Sequence, residues 1–337
     1  MDATDHRDDQ DGPLLFGRVL DGKGGGRPVR WEEAKTWVPE HAGEVLWLHI
    51  CRTHEEAEPW LEKTLGLPEP VAEMLTDDGN RPRAYRDGNQ LVAVLRGINF
   101  NPGAEPEDMI SMQLWSDGSR LVTLRREPLQ TPRDVLAEVD SGSGPTDAGA
   151  LVTELVEQII ARMNKSIVDM NDVIDHLEDA DIDDERDVIL ARTSAIRRNC
   201  LALKRHMGPQ HGALEAIAKA SLPWFEEHDR REIAETIERL RRYLDDIDVS
   251  MESAVVLQDE LRARALASSD KTNYLLTLVA SIFLPLGFLT GLLGINVGGI
   301  PGTNDIHAFW IVVITCGALL VVQIALFLVW RWWSQRR

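Results

Sequence analysis

Two apolar runs without a charged side chain lie near the C-terminal end of this 337-residue chain, and they constrain its fold more than any other feature. Residues 274–294, YLLTLVASIFLPLGFLTGLLG, reach about 31 Å as a helix, enough to cross a hydrocarbon core. Residues 308–330, AFWIVVITCGALLVVQIALFLVW, do the same and are more uniformly apolar. Trp310 stands at one end of the second run and Trp330, Trp332 and Trp333 at the other, as an interfacial belt would be placed. Arg262, Arg264 and Lys271 precede the first span, Arg331, Arg336 and Arg337 follow the second, and the connecting residues 295–307 hold no Lys or Arg. The bias of basic residues toward one side predicts an integral membrane protein with the N- and C-termini cytoplasmic and a short outer loop.

The two spans differ in character. The second is interrupted only by Thr315, Cys316 and Gln323, which suits contact with lipid. The first carries Thr277, Ser281, Pro285, Gly287, Thr290, Gly291 and Gly294, a density of small and hydroxylated residues that lets helices approach closely or lines a wet path. Pro285 removes one backbone bond and should loosen the helix locally. Two helices cannot enclose a pore, so a pore would need several copies of the first span around one axis.

The formal charge of −19 is unevenly placed: Lys271, Arg331, Arg336 and Arg337 oppose only Asp305 beyond residue 270, so the acidic excess sits in the preceding part. Such a surface repels nucleic acid and attracts cations. Cys51, Cys200 and Cys316 are widely spaced and odd in number, which fits reduced thiols and indicates neither a disulfide framework nor a Cys-based zinc site. Nucleotide loops, Ser/His/Asp sets and paired-carboxylate pockets are not evident, so the reading is of a non-enzyme without a cofactor.

The pattern predicts an α+β cytoplasmic domain, a mixed sheet with flanking helices, followed by a long helical stalk and two C-terminal transmembrane helices. Residues 1–12 read as a disordered acidic tail. Residues 13–145 form the α/β domain: EVLWLHI (44–50) and QLVAVLRGINF (90–100) read as strands, and residues 109–127 as a hairpin turning at Asp117-Gly118. Helices are expected after Thr53 and Pro70, and the Gly/Ser-rich residues 141–149 read as a linker with Thr146 or Asp147 as a helix cap. Residues 146–273 form the stalk. Leu151, Leu155, Ile159 and Met163, continued by Ile167, Ile174 and Leu177, predict one helix ending in an acidic stretch. A second is expected over residues 185–207 with a break at Gly208-Pro209, and a third from near Asp229, about 100 Å long, running without interruption into the first span. Residues 274–337 form the membrane domain, with spans 274–294 and 308–330, outer loop 295–307 and cytoplasmic tail 331–337.

Together these features resemble the CorA family of divalent-cation channels and, within it, the ZntB zinc transporters. The resemblance runs from about residue 17 to residue 337. In place of that family's Gly-Met-Asn triplet at the end of the first span stands Gly294-Ile295-Asn296, and GINVGGIPG, residues 81–115 and LVTLRR (121–126) look like ZntB in particular. The resemblance implies a funnel-shaped homopentamer, self-associated in the lipid bilayer, with the long helix and first span lining the pore. It favours Zn2+ over Mg2+ as the transported substrate, while the changed middle residue leaves metal identity open.

On that footing Gly294, Ile295 and Asn296 are the candidate selectivity filter. A ring of Asn296 amides would hydrogen-bond the waters of a hydrated dication without gripping the metal; a helix C-cap is the alternative role for Asn296. Asn273, Leu276, Thr277, Ala280, Leu284, Gly287, Thr290 and Gly291 are the candidate pore-lining residues, with helix packing as the alternative. Asp305 and His307 would concentrate cations at the outer mouth, unless they belong to an ordinary solvated loop. Asp172, His176 and Asp179, at i, i+4 and i+7, are candidate ligands of a regulatory metal at an otherwise solvated hairpin tip. The expected function is Zn2+ uptake through a homopentameric pore. The alternatives are a CorA-type Mg2+/Co2+ channel and a non-conducting membrane-tethered scaffold. Proton coupling stays open, although neither span contains Asp, Glu or His to carry a proton.

Overall fold

The structure, a computed structural model, describes residues 12–41, 43–79, 81–105, 107–178, 182–295 and 306–334. The chain divides into two compact units, Met1–Gln258 and Asp259–Arg337.

The first unit holds a seven-stranded sheet in the order β2-β1-β3-β7-β6-β5-β4. Its strands are β1 (Leu14–Leu20), β2 (Gly26–Pro28), β3 (Val45–Cys51), β4 (Arg83–Asp87), β5 (Gln90–Gly97), β6 (Ile110–Ser116) and β7 (Arg120–Arg125). Every pairing is antiparallel except β3 with β7, where Leu46 lies opposite Arg120 and Ile50 opposite Leu124. β1 and β6 are buried along their whole length, and β3, β5 and β7 nearly so. That explains their near-continuous apolar sequences, because a sheet covered on both faces needs no polar alternation. On one face Leu46, Leu48, Ile50, Val92, Val94 and Trp115 join a core with Trp31 of α1 (Trp31–Thr36), Trp60 of α2 (Ala57–Lys63) and Leu75 of α3 (Glu69–Thr76). On the other, Phe16 stacks on His49 and meets Trp47 edge-on, both at 4.9 Å, and Thr123 Oγ1 lies 3.1 Å from the donating Trp47 Nε1 and 2.9 Å from His49 Nδ1.

The β6–β7 hairpin turns where its sequence predicts. Asp117 Oδ1 accepts from the N–H groups of Ser119 (2.9 Å) and Arg120 (2.8 Å), and Gly118 takes φ +91° with Trp224 packed so close that a Cβ would meet its ring at 2.3 Å. Glycine is therefore required there twice over, by conformation and by space.

After α4 (Gln130–Ser141) the unit becomes helical. Asp147 caps α5 (Ala148–Ala161), its carboxylate accepting from Ala150 N at 2.9 Å. The predicted single helix beyond it is two, α5 and α6 (Met163–Glu178), separated at Arg162, whose guanidinium pairs with Asp134 at the foot of α4. α7 (Ile182–Lys219) corrects the sequence reading: it passes through Gly208-Pro209 without breaking. Its buried residues Ile189, Thr193, Ile196, Cys200, Leu203, Met207, Gln210, Leu214 and Ile217 alternate by fours and threes straight across the proline. Packing of that heptad stripe outweighs the single N–H that Pro209 lacks. Gln210 adds a second anchor, its side-chain amide accepting from Arg96 N at 2.6 Å and donating to Arg96 O at 2.9 Å, as a neighbouring strand would.

α8 (Glu227–Gly294) begins two residues before the expected Asp229 and continues for 68 residues. Within the first unit Ile233, Thr236, Leu240, Tyr243, Ile247, Ser250, Ala254 and Leu257 repeat the same heptad spacing. Lys204 of α7 pairs with Asp248 at 2.5 Å and Gln258 donates to Ser194 Oγ at 3.0 Å, so α7 and α8 run antiparallel. Ser250 donates to Asn171, and Arg239 pairs with Glu157, which aligns α5 and α6 parallel to α8. The result is an up-down-up bundle held by coiled-coil seams.

The second unit contains the remainder of α8 and α9 (Ala308–Ser334), both long and apolar enough to cross a membrane. They meet along a narrow seam. Leu278, Ile282, Leu286 and Leu289 of α8 are partly covered, as are Ala308, Val312, Cys316, Leu319, Leu320, Gln323 and Phe327 of α9. The rings of Tyr274 and Phe327 lie 6.3 Å apart at one end of it.

Candidate ion pathway along the membrane segment of α8

Placement of the candidate pore residues follows from helix geometry. At about 100° per residue, Asn273, Leu276, Thr277, Ala280, Leu284, Gly287, Gly291 and Gly294 fall within an arc of about 100°. Thr290 lies about 40° outside it on the same convention. All of them are exposed, while the residues covered by α9 occupy the opposite side of the helix. The hairpin with α9 therefore consumes none of the candidate pathway, and a face of small, apolar and hydroxylated groups remains available to other copies, to lipid or to water.

The hydroxyls on this helix have a defined polarity. Thr277 Oγ1 donates to Asn273 O at 2.8 Å, and Thr290 Oγ1 is shared between Leu286 O (2.9 Å) and Gly287 O (3.2 Å). With its proton committed to the helix, each oxygen turns only lone pairs outward. A neutral acceptor of this kind can hydrogen-bond the waters of a hydrated cation, whereas a free hydroxyl would also present a donor. Leu276 and Leu284, 63% and 74% exposed, supply bulky apolar positions between these polar ones, suited to gating by dewetting.

Of the proposed filter, Gly294 is the last residue of α8 and Ile295 follows it, half exposed; Asn296 lies outside the described residues. Of the residues proposed for the outer mouth, Asp305 is also outside them. His307 is exposed just before α9, and its carbonyl accepts from Ile311 N at 3.1 Å, closing the first turn of that helix. Asp172 and His176 sit on the exposed side of α6, with His176 Nδ1 2.6 Å from the Asp172 backbone oxygen. A carbonyl only accepts, so Nδ1 is the donor in that contact. Asp179, the third member, lies outside the described residues, and among those described no group of three or more His, Cys, Asp or Glu is placed to hold a metal ion.

One feature of the first unit was not legible in the sequence. A polar cleft of about 500 Å³ opens where β3, β5 and β7 end, lined by Arg52, Asp78, Arg96, Glu107, Arg126 and His206 among others. Asp78 joins two guanidiniums, pairing with Arg52 and, at 2.6 Å, with Arg126, while Arg52 also donates to Thr76 O at 2.7 Å. Burial, reinforced by Arg96, Arg205 and Arg81, pushes the His206 imidazole below its ordinary value, so it stays neutral at physiological pH. Burial and then Arg52 push Arg96 down as well. These residues come from six separate elements and connecting segments, and no local spacing announces them.

Comparison with known proteins adds the following. The model of a family described as CorA-like Mg2+ transporter protein matches residues 42–333. A divalent cation transporter of Pseudomonas aeruginosa, CmaX, is 37% identical over 330 residues, covering 96% of each chain. The zinc transport protein ZntB of Yersinia enterocolitica is 33% identical over 333 residues, covering 99% of this chain and 98% of its own. The solved structure of full-length CmaX superposes with a TM-score of 0.84 at 36% identity, covering 96% of this chain and 99% of that one. The CorA magnesium transporter of Methanocaldococcus jannaschii superposes with a TM-score of 0.76 at 14% identity, over 93% and 97% of the two chains, which is a likeness of fold.

Proposed function

This chain belongs to the CorA-like Mg2+ transporter family, whose business is moving divalent cations across a membrane, and from that premise we propose that it takes up Zn2+ through a homopentameric conduit. In this reading the first span of each copy contributes the exposed arc from Asn273 to Gly291, and Gly294, Ile295 and Asn296 form the outer filter. Asp305 and His307 gather cations before it, and both termini face the cytoplasm. The observation that carries the reading is the exposed arc itself: it lies opposite the α9 seam, is free of charge, and alternates lone-pair acceptors with apolar side chains. Similarity to ZntB favours zinc.

Conduction is read as passive, since neither membrane run holds Asp, Glu or His. A second reading, a Mg2+/Co2+ channel, is favoured by the description of the matching family and by the broader name of CmaX.

Uptake of Zn2+ and Mg2+ into proteoliposomes, unsubstituted protein against Asn296→Ala, separates these. Zn2+ flux that falls in Asn296→Ala supports the filter, and equal flux in both rejects it. Mg2+ flux exceeding Zn2+ flux selects the second reading. No flux of either leaves the membrane-tethered scaffold. Flux that follows an imposed pH gradient assigns proton coupling. The mass of the detergent-solubilised particle tests the pentamer.

A further inference from the structure

Pro285 stands inside α8. In an α-helix the N–H of residue 285 would bond the carbonyl of residue 281, and proline has no N–H to give. Ser281 O is thereby deprived of its helical donor. Its own hydroxyl does not compensate, because Ser281 Oγ is turned to Leu278 O at 2.8 Å. In hydrocarbon such a carbonyl is costly, and spans that contain proline survive where a neighbouring helix supplies a substitute donor.

That donor is present. Gln323 of α9 points Nε2 at Ser281 O from 3.5 Å, at the long end of the hydrogen-bond range. Gln323 lies on the seam of α9, in step with Cys316 and Phe327, where every other covered residue among those described is apolar or sulfur-bearing. A lone amide in that position needs a reason, and the freed carbonyl provides one. The two groups border a space of about 420 Å³ together with Leu278, Ile282, Ile324 and Phe327, so the carbonyl has room to swing. The opposite side of this stretch carries Ala280, Leu284 and Gly287 of the exposed arc. Movement at the proline displaces those residues.

We propose that Gln323 is a positioning residue for cation transport: its amide caps the carbonyl that Pro285 frees and so holds the exposed arc of α8 in its conducting alignment. The inference rests on the reading that this arc lines the pathway.

The test uses the full chain in lipid bilayers. Labelling serine carbonyls with 13C and isoleucine nitrogens with 15N marks only two adjacent pairs, Ser166-Ile167 and Ser281-Ile282. The first, in α6, reports whether a variant is folded. Gln323→Leu should move the Ser281 carbonyl resonance upfield and lower Zn2+ uptake several-fold. In a Pro285→Ala background the helix supplies its own donor, so the same substitution should change neither signal nor flux; this is a double-mutant cycle on one hydrogen bond. Gln323→Met carries the comparison if the leucine variant does not fold. An unmoved Ser281 signal in the Pro285 background overturns the cap. A moved signal with unchanged flux, or equal loss of flux in both backgrounds, overturns the role in transport. The carbonyl is read without any ion, so these failures are distinct from a failure of the transport reading, which would show as absent uptake in the unsubstituted protein.

Discussion

A side-chain carbon on Gly149 would stand 2.2 Å from Oδ2 of Asp229, the oxygen that accepts the Glu226 N–H at 2.7 Å where α8 begins. The second position of α5 thus has to be glycine so that the third of α8 can cap its own helix, as the acidic member of a capping box does. Gly149→Ala should destabilise the first unit by about 1–3 kcal/mol, the usual cost of overpacking a filled site. Combining it with Asp229→Ala should cost less than the sum of the two single changes. Thermal unfolding of the four proteins checks this.

Two buried groups pull the pH dependence of stability in opposite directions. Burial first, then Arg125 and Arg133, hold the His49 imidazole well below its ordinary 6.5. As pH falls through 6.5 the unfolded chain takes a proton that the folded one refuses, so stability is lost on the acid side. Asp229 is raised above its ordinary 3.8, chiefly by burial. Its contribution is complete below 3.8 and is lost as pH rises through the raised value. Urea unfolding from neutral pH downward should therefore show a decline beginning near 6.5 that His49→Phe flattens. Asp229→Asn should remove the opposing rise at lower pH.

Gln210→Ala leaves the N–H and C=O of Arg96 without the amide that now serves both. Each hydrogen bond so lost costs about 0.5–1.5 kcal/mol. The substitution should lower the urea midpoint markedly, and hydrogen exchange at the Arg96 amide should accelerate more than at its neighbours in β5. Uniform acceleration along the strand would assign the effect to the helix instead.

Thr277→Val preserves shape and removes the outward lone pairs together with the hydroxyl's bond to Asn273 O. If the exposed arc conducts, Zn2+ uptake in proteoliposomes should fall several-fold with unfolding unchanged. Thr315→Val, on α9, whose hydroxyl is likewise bound to its own helix at Ile311 O, 2.8 Å away, should leave flux as it was.

What the sequence disclosed follows from which forces are local. Uncharged length marked both membrane helices, Asp117-Gly118 marked the hairpin, and the pair Thr146-Asp147, of which Asp147 proves to be the cap, marked the start of α5, because each depends on neighbours in the chain. β4 (RAYRD) was not anticipated as a strand, being polar and largely exposed at the sheet edge, nor was β2, with three residues. Pro209 misled because the compensating packing of Met207 and Leu214 and the grip of Gln210 on Arg96 are tertiary. Helical period put Asn273 to Gly291 of α8 on one face, but a pore-lining face and a packing face share that period, so it did not say what the face meets. The service of Gln323 to Ser281 was not readable, since it joins positions on two different helices, and the same holds for the Arg52–Asp78–Arg126 group.

The lone parallel pairing in the sheet has a consequence for synthesis. β3 acquires the neighbour on its inner side only when β7 has been made, since Leu46 must wait for Arg120. Until then β1, β2 and β3 form a small ribbon with a largely apolar, unpaired border, while β4 to β7 close upon themselves as successive hairpins. The joining of those two halves, a long-range event with a high entropic threshold, is the step at which a newborn chain is most vulnerable to pairing with a stranger.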